Sequence, residues 1–139
     1  MIRPATVSDI PRLLEMGQKF AEKARLADHV GYDPASMEAT FRFLIEHSDC
    51  CLFVSENGAI GGAREPHPFN VHSWKATELF WWSEGRDGLR LLAAFEEWAA
   101  EKCQMVEMMA LEAVDPERTG KLYERRGYAP VERGFVKVL

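Results

Sequence analysis

One stretch, ELFWWSEGRDGLRLLAAFEEWA from Glu78 to Ala99, restricts most strongly what this chain can fold into. The residues that follow Glu78 are aliphatic and aromatic, which favours a β-strand. A polar turn with two glycines follows, and apolar residues then recur at helical spacing, at Leu91, Leu92, Phe95, Trp98 and Ala99. A strand that turns directly into an amphipathic helix predicts an α/β fold in which this helix covers a sheet.

Length and composition narrow the class of protein. The chain has 139 residues, of which 47% are hydrophobic and 28% charged, so we expect one domain over residues 1–139 with its own core. A net charge of -5 argues against a nucleic-acid partner, because phosphate binding needs clustered Lys and Arg. The absence of a long apolar run argues against a membrane partner, and the N-terminal sequence lacks a secretory pattern. We therefore expect a cytoplasmic protein.

Metal chemistry is not indicated by the residue spacing. The cysteines are Cys50, Cys51 and Cys103, and the histidines do not recur at metal-ligand spacing. We predict no metal site and buried or half-buried thiols.

The first half of the chain predicts two helices and a hairpin. A helix from about residue 9 to 25 follows Ser8 as the N-cap, and a second begins at Pro34 after the N-cap Asp33. A hairpin follows, in which Asn57 and Gly58 supply the positive φ angles of a tight turn. Residues 61–76, GGAREPHPFNVHSWKA, predict a wide loop at a functional edge.

The second half predicts strands around the opening stretch and its helix. TELFWW is the strand before the helix, and VEMMALEA, residues 106–113, is the strand after it. A short helix is predicted in ERTGKLYERRG, followed by a final hairpin in YAPVERGFVKVL that turns at Arg133 and Gly134. The predicted order is β-α-α-β-β-β-α-β-α-β-β.

That order resembles the GNAT superfamily of acyl-CoA-dependent N-acyltransferases over nearly the whole chain. Three passages carry the resemblance: MIRPATVSDIPRLLEM, TELFWWSEGRDGLRLLAAFEEWA and LYERRGYAPVE. The passage PHPFNVHSWKATELFWW also resembles a subgroup found in phage and prophage genomes. The resemblance implies a mixed, largely antiparallel sheet of about seven strands, with a central parallel pair that splays apart and about four helices.

The turn before the long helix is the predicted phosphate site. Unpaired N–H groups and the helix dipole attract anions there, and in the family this turn holds the CoA pyrophosphate on a Q/R-x-x-G-x-G/A motif. Ser83, Arg86 and Gly88 fall on the motif positions, but only Gly88 matches, and a register that uses Gly85 instead stays open. The predicted acetyl-CoA contacts are therefore Phe80, Trp81, Trp82, Glu84, Gly85, Arg86, Asp87, Gly88, Leu89 and Tyr123.

Two residues are the predicted catalytic groups. The resemblance implies that Tyr123 is the acid that protonates the departing CoA thiolate; the alternative is packing on the helix at 89–102. Glu78 is the predicted base for the amine, with Phe80 and Trp82 on the same face of its strand; the alternative is an exposed strand end. Glu112 and His67 are the reserve candidates.

The function predicted from these residues is acetyl transfer from acetyl-CoA to a primary amine, by direct attack in a ternary complex. The acceptor is a small-molecule or peptide amine. A homodimer stays open. The alternative is a domain that binds acyl-CoA or a protein partner without catalysing transfer.

Overall fold

The computed structural model describes all 139 residues and contains one sheet of five strands with helices on both faces. The strands lie in sequence order, with the first four antiparallel and the last pair parallel. They are β1 (Arg3–Pro4), β2 (Cys50–Val54), β3 (Gly58–His67), β4 (Asn70–Ser83) and β5 (Met105–Glu107). The predicted parallel pair is confirmed, but the sheet does not have seven strands.

The four predicted helices are present. They are α1 (Ile10–Lys23), α2 (Pro34–Glu46), α3 (Gly88–Ala100) and α4 (Pro116–Arg125). Asp33 caps α2 as predicted, since its carboxylate accepts a hydrogen bond from the N–H of Ser36 at 3.2 Å. Ser8 is not the N-cap of α1, because a 3-10 turn at Val7–Asp9 comes first and Asp9 takes that position. No helix is both long enough and apolar enough to cross a membrane.

Each face of the sheet has its own core. Helices α1 and α2 cover one face, where the buried side chains include Leu13, Phe41, Leu44, Val54 and Phe80. Helix α3 covers the other face with the apolar stripe that its sequence predicts, and the buried side chains there include Ile60, Ala76, Leu91, Leu92, Phe95 and Ala99. The sheet is thus the middle layer of three.

The prediction of a wide loop at residues 61–76 is wrong, because these residues extend β3 and β4 into one long hairpin. The two strands pair from Gly58 and Ser83 to His67 and Asn70. Pro66 is tolerated because it lies beyond the last β2 partner, where β3 has an open edge. Strand pairing satisfies the backbone groups that a loop would leave to water.

The β2–β3 hairpin forms, but not with the predicted backbone. Neither Asn57 nor Gly58 has a positive φ, and the N–H of Ser55 closes the turn on the carbonyl of Gly58 at 2.9 Å. Gly58 is required for space instead, since a Cβ there would lie 2.5 Å from the carbonyl oxygen of Trp82.

The C-terminal hairpin predicted at residues 128–139 does not form. No strand follows β5, and no backbone hydrogen bond involves a residue after Tyr128. β5 itself has three residues, fewer than the predicted 106–113. A short hairpin needs a neighbouring strand or core to bury its apolar side chains, and residues 129–139, here called the tail, have neither.

Candidate active site

β4 and β5 separate after Thr77 and Glu107, and the space between the diverging chains is here called the cleft. The two strands pair only from Lys75 to Thr77 on β4, after which β4 continues to Ser83 and the chain after Glu107 leaves it. β4 therefore keeps an unpaired edge from Glu78 onward. Backbone groups along such an edge can bind an extended ligand as an added strand does.

A β-bulge at the mouth of this cleft decides which way the side chains of β4 point. Gly61 pairs with Phe80 and Gly62 with Glu78, so Leu79 is an extra residue without a partner. Phe80 lies on the α1–α2 face, whereas the position of Gly62 faces Phe95 of α3. Glu78 therefore shares the α3 face with Trp81. The predicted grouping of Glu78 with Phe80 and Trp82 is wrong, because simple alternation does not count the extra residue.

Glu78 and Tyr123 lie together around the main chain of Met109. The hydroxyl of Tyr123 donates a hydrogen bond to the Met109 carbonyl at 2.7 Å, and both side chains are buried. The Tyr123 ring packs against Trp81, with ring centroids 6.2 Å apart. The two residues predicted to be catalytic are thus brought into one buried cluster at the start of the cleft.

Burial dominates the electrostatics of this cluster. It raises the pKa of Glu78 to about 7, and the N–H of Met109 offsets part of that rise. Burial also raises the pKa of Tyr123, and the nearby Glu78 carboxylate raises it further. Glu78 can therefore exchange a proton near neutral pH, while Tyr123 remains a protonated hydrogen-bond donor.

Helix α4 is fixed to α3 by residues that follow Tyr123. Glu96 of α3 accepts hydrogen bonds from the guanidinium of Arg126 and from the hydroxyl of Tyr128, the latter at 2.9 Å. Tyr128 also packs on Tyr123 with ring centroids 5.4 Å apart. Tyr128 is half-buried and supports Tyr123 from the outer side.

The start of α3 carries a row of unpaired donors. The N–H groups of residues 85–90 have no acceptor within the protein. The first N–H of this region that has an acceptor is that of Leu91, which donates to the carbonyl of Asp87 at 2.9 Å. The N–H of Glu84 is already used by the carbonyl of Asn57 at 2.9 Å, and its carboxylate pairs with Lys19 at 2.8 Å. The free donors therefore begin one residue later than the predicted segment 84–89.

The predicted cofactor-binding residues differ in which of their groups a ligand could contact. The Phe80 ring is buried between Phe20 and Phe41, so only its backbone can meet a ligand. Trp81 and Trp82 are half-buried, and neither indole N–H has a partner in the protein. The side chains of Arg86 and Leu89 are exposed beside the turn, and Asp87 is the N-cap.

The two reserve candidates lie elsewhere. Glu112 is exposed and pairs with Arg133 at 3.0 Å. His67 lies at the tip of the β3–β4 hairpin opposite Asn70, about 26 Å of strand away from Glu78. Sequence reasoning missed Met109, which acts through its main chain and so leaves no signal. The Gly61–Gly62 pair was an available signal for the bulge.

Comparisons with known proteins find solved structures that are similar to this chain. No protein-family profile and no curated protein matches the chain. A transcriptional regulator from Bacillus halodurans C-125 matches with a TM-score of 0.78 and 21% identity, over 100% of this chain and 99% of that one. An aminoglycoside acetyltransferase from an uncultured soil metagenomic sample, solved with trehalose, matches with a TM-score of 0.69 and 15% identity, over 100% and 95%.

A third match is a Clostridium acetobutylicum protein described as an acetyltransferase and solved with acetyl-CoA. Its TM-score is 0.72 at 12% identity, over 99% of this chain and 94% of that one. At sequence identities this low, the similarity shows a shared fold and nothing more. This chain therefore shares the fold of these structures, and the fold expected from the GNAT resemblance fits that likeness.

Proposed function

We propose that this protein transfers an acetyl group from acetyl-CoA to a primary amine. The observation that carries the proposal is the buried pair of Glu78 and Tyr123 at the point where β4 and β5 separate. Structural neighbours described as acetyltransferases support acyl transfer in general. A cytoplasmic location and membership of the phage-associated subgroup remain predictions from the sequence.

The start of α3 fits the phosphates of CoA. Residues 85–90 offer consecutive unpaired N–H groups at the positive end of a helix, which is the donor set that binds pyrophosphate. Bound acetyl-CoA supplies the activated thioester. Backbone donors carry this binding, so the departure of Ser83 and Arg86 from the family motif does not remove it.

Glu78 is the proposed base. A carboxylate with a pKa of about 7 can accept a proton from an ammonium group near neutrality. It lies beside the open edge of β4, which supports a role at the point where the acceptor would meet the thioester. The proposed acceptor is a small-molecule or peptide amine.

Tyr123 is the proposed acid, and its pKa depends on the charge of Glu78. The charged Glu78 carboxylate raises the pKa of Tyr123 after burial has already done so. When Glu78 takes the amine proton, that charge disappears and the pKa of Tyr123 falls. Tyr123 thus becomes a better proton donor when the CoA thiolate needs one.

The cofactor is tested by thermal shift with three ligands. Acetyl-CoA and dephospho-CoA, which both contain the pyrophosphate, should raise the melting temperature by mass action. Pantetheine lacks the pyrophosphate and should lose most of the effect. Equal stabilisation by acetyl-CoA and pantetheine would contradict the phosphate assignment.

The reaction is tested by mass spectrometry of acetyl-CoA incubated with a panel of amines. The panel contains polyamines, amino acids, lysine peptides and aminoglycosides, the last because one structural neighbour is an aminoglycoside acetyltransferase. Transfer to one class of amine that is much slower in Glu78→Gln near neutral pH supports the proposal. Stabilisation by acetyl-CoA without transfer to any amine would favour the alternative, a domain that binds acyl-CoA without catalysis.

A further inference from the structure

Two exposed apolar side chains flank Glu78 at the cleft. Leu79 is the extra residue of the β-bulge and follows Glu78 directly on the unpaired edge of β4, and it is 54% exposed. Met109, whose main chain contacts both Glu78 and Tyr123, is 45% exposed. Neither side chain belongs to either core. Apolar surface beside one buried polar group is typical of a site for a small ligand.

The other carboxylates of β4, β5 and the segment that leads to α4 already have partners. Glu107 of β5 pairs with Lys75 at 3.5 Å, and Glu112 pairs with Arg133 at 3.0 Å. The carboxylate of Asp115 caps α4, since it accepts a main-chain hydrogen bond at 3.2 Å. Apart from the proposed base, no carboxylate of these elements is left to bind a second positive charge.

This combination of charge and apolar surface favours one kind of amine. A polyamine or an aminoglycoside carries several positive charges at neutral pH, and a site that selects such a molecule needs several unpaired carboxylates. The cleft has one, Glu78, beside the exposed side chains of Leu79 and Met109. An amine with an uncharged apolar body matches both features, because its amino group meets the carboxylate while its body covers the two apolar side chains.

We propose that the acceptor is a monoamine whose amino group is attached to an apolar body, as in an alkylamine or an arylalkylamine. Leu79 and Met109 determine this specificity, because they contact the body of the amine. The inference rests on the proposed function and narrows its class of acceptor.

The chemistry is that of the proposed transfer. Glu78 takes one proton from the ammonium group, and the nitrogen then bonds the acetyl carbon as the C–S bond breaks. The thiolate takes a proton from Tyr123, which recovers a proton from the nitrogen, and Glu78 releases its proton to water. Apolar surroundings also lower the pKa of an amine, so the two apolar side chains favour the uncharged form that attacks.

The test compares two amines of the same length, heptylamine and hexamethylenediamine, which differ in a methyl group against a second amino group. The value of kcat/KM should be roughly tenfold or more higher for heptylamine, because the second charge of the diamine would lie against apolar surface. Equal values, or a preference for the diamine, overturn the inference. Transfer to polyamines or aminoglycosides alone also overturns it but leaves the proposed function intact, whereas transfer to no amine contradicts both.

Matched variants assign the specificity to residues. Leu79→Asn should lower kcat/KM for heptylamine about tenfold and leave that for hexamethylenediamine within about twofold, and Met109→Gln should act in the same direction. Val71→Asn is the control, since Val71 is 61% exposed on the same strand, about 26 Å of strand away from Leu79, and it should change neither value. Circular dichroism checks the fold. An unchanged ratio of the two amines in both Leu79→Asn and Met109→Gln overturns the inference.

Discussion

At the scale of single residues, burial raises the pKa of two side chains, those of Glu78 and Tyr123. Glu78 lies on the α3 face of β4 because of one extra residue, and there it loses most of its water. Tyr123 keeps its hydrogen bond to Met109 in the same place. Proximity of the two residues makes their protonation states depend on each other.

Removing the hydroxyl of Tyr123 tests the proposed acid. Tyr123→Phe should lower the acetyl-transfer rate roughly ten- to a thousandfold, since the thiolate loses its proton donor. The buried hydrogen bond to Met109 is also lost, which should cost about 1 kcal/mol of stability. The measurement is steady-state kinetics together with denaturant unfolding.

Tyr128→Phe is the matched control for that change. It removes a hydroxyl that bonds Glu96 at 2.9 Å, so its stability loss should be similar, but its rate should stay near wild type. If both variants lose the same rate, Tyr123 acts through packing and not as an acid.

Glu78→Gln tests the base through its rate and its stability. The variant should be slow near neutral pH and recover at high pH, where the acceptor amine is already deprotonated. A pH–rate profile parallel to that of the wild type would remove Glu78 from the mechanism.

The stability of the wild type should also depend on pH through Glu78. Its pKa rises on folding from 4.5 to about 7, so its contribution is complete below the unfolded pKa and is lost as pH rises through the folded one. The wild type should therefore lose about 3 kcal/mol relative to Glu78→Gln between pH 4 and pH 8. Denaturant unfolding of both proteins across this range measures the difference, and parallel curves would contradict it.

At the scale of secondary structure, the missing side chain of Gly62 determines the shape of the site. A Cβ on Gly62 would lie 2.4 Å from the carbonyl oxygen of Thr77 and 2.6 Å from the ring of Phe95. A side chain here would separate β3 from β4 or lift α3 from the sheet. The bulge beside Gly62 and the position of α3 thus depend on the same missing side chain.

Gly62→Ala should therefore destabilise the protein by about 2 kcal/mol or more and reduce acetyl-CoA binding, because α3 carries the free N–H groups. Gly120→Ala is the control, since nothing lies within 4 Å of a Cβ there and the residue is in the interior of α4. That change should raise stability by about 1 kcal/mol. Equal effects of the two substitutions on the melting temperature would show that the site tolerates a Cβ.

At the scale of the whole molecule, the two cores and the tail are energetically separate. Both cores lie on the sheet within residues 5–99, whereas the tail buries no side chain. In the single chain, its one ion pair joins two exposed groups, Arg133 and Glu112. Exposed pairs of this kind contribute little to stability.

A chain that ends at Tyr128 should therefore unfold with the same free energy as the full chain, within about 0.5 kcal/mol. Denaturant unfolding of both chains measures the difference. A large loss of stability in the shorter chain would show that the tail packs on the rest of the molecule.

Features that depend on a local pattern can be predicted from the sequence. The Asp33 cap, the apolar stripes of the helices, the strand before α3 and the free donors at its start follow from spacing and turn residues that act over a few positions. The remaining features come from tertiary contacts. The bulge, the pairing of residues 61–76 and the contact of Tyr123 with Met109 depend on partners distant in sequence, whose positions no local periodicity encodes.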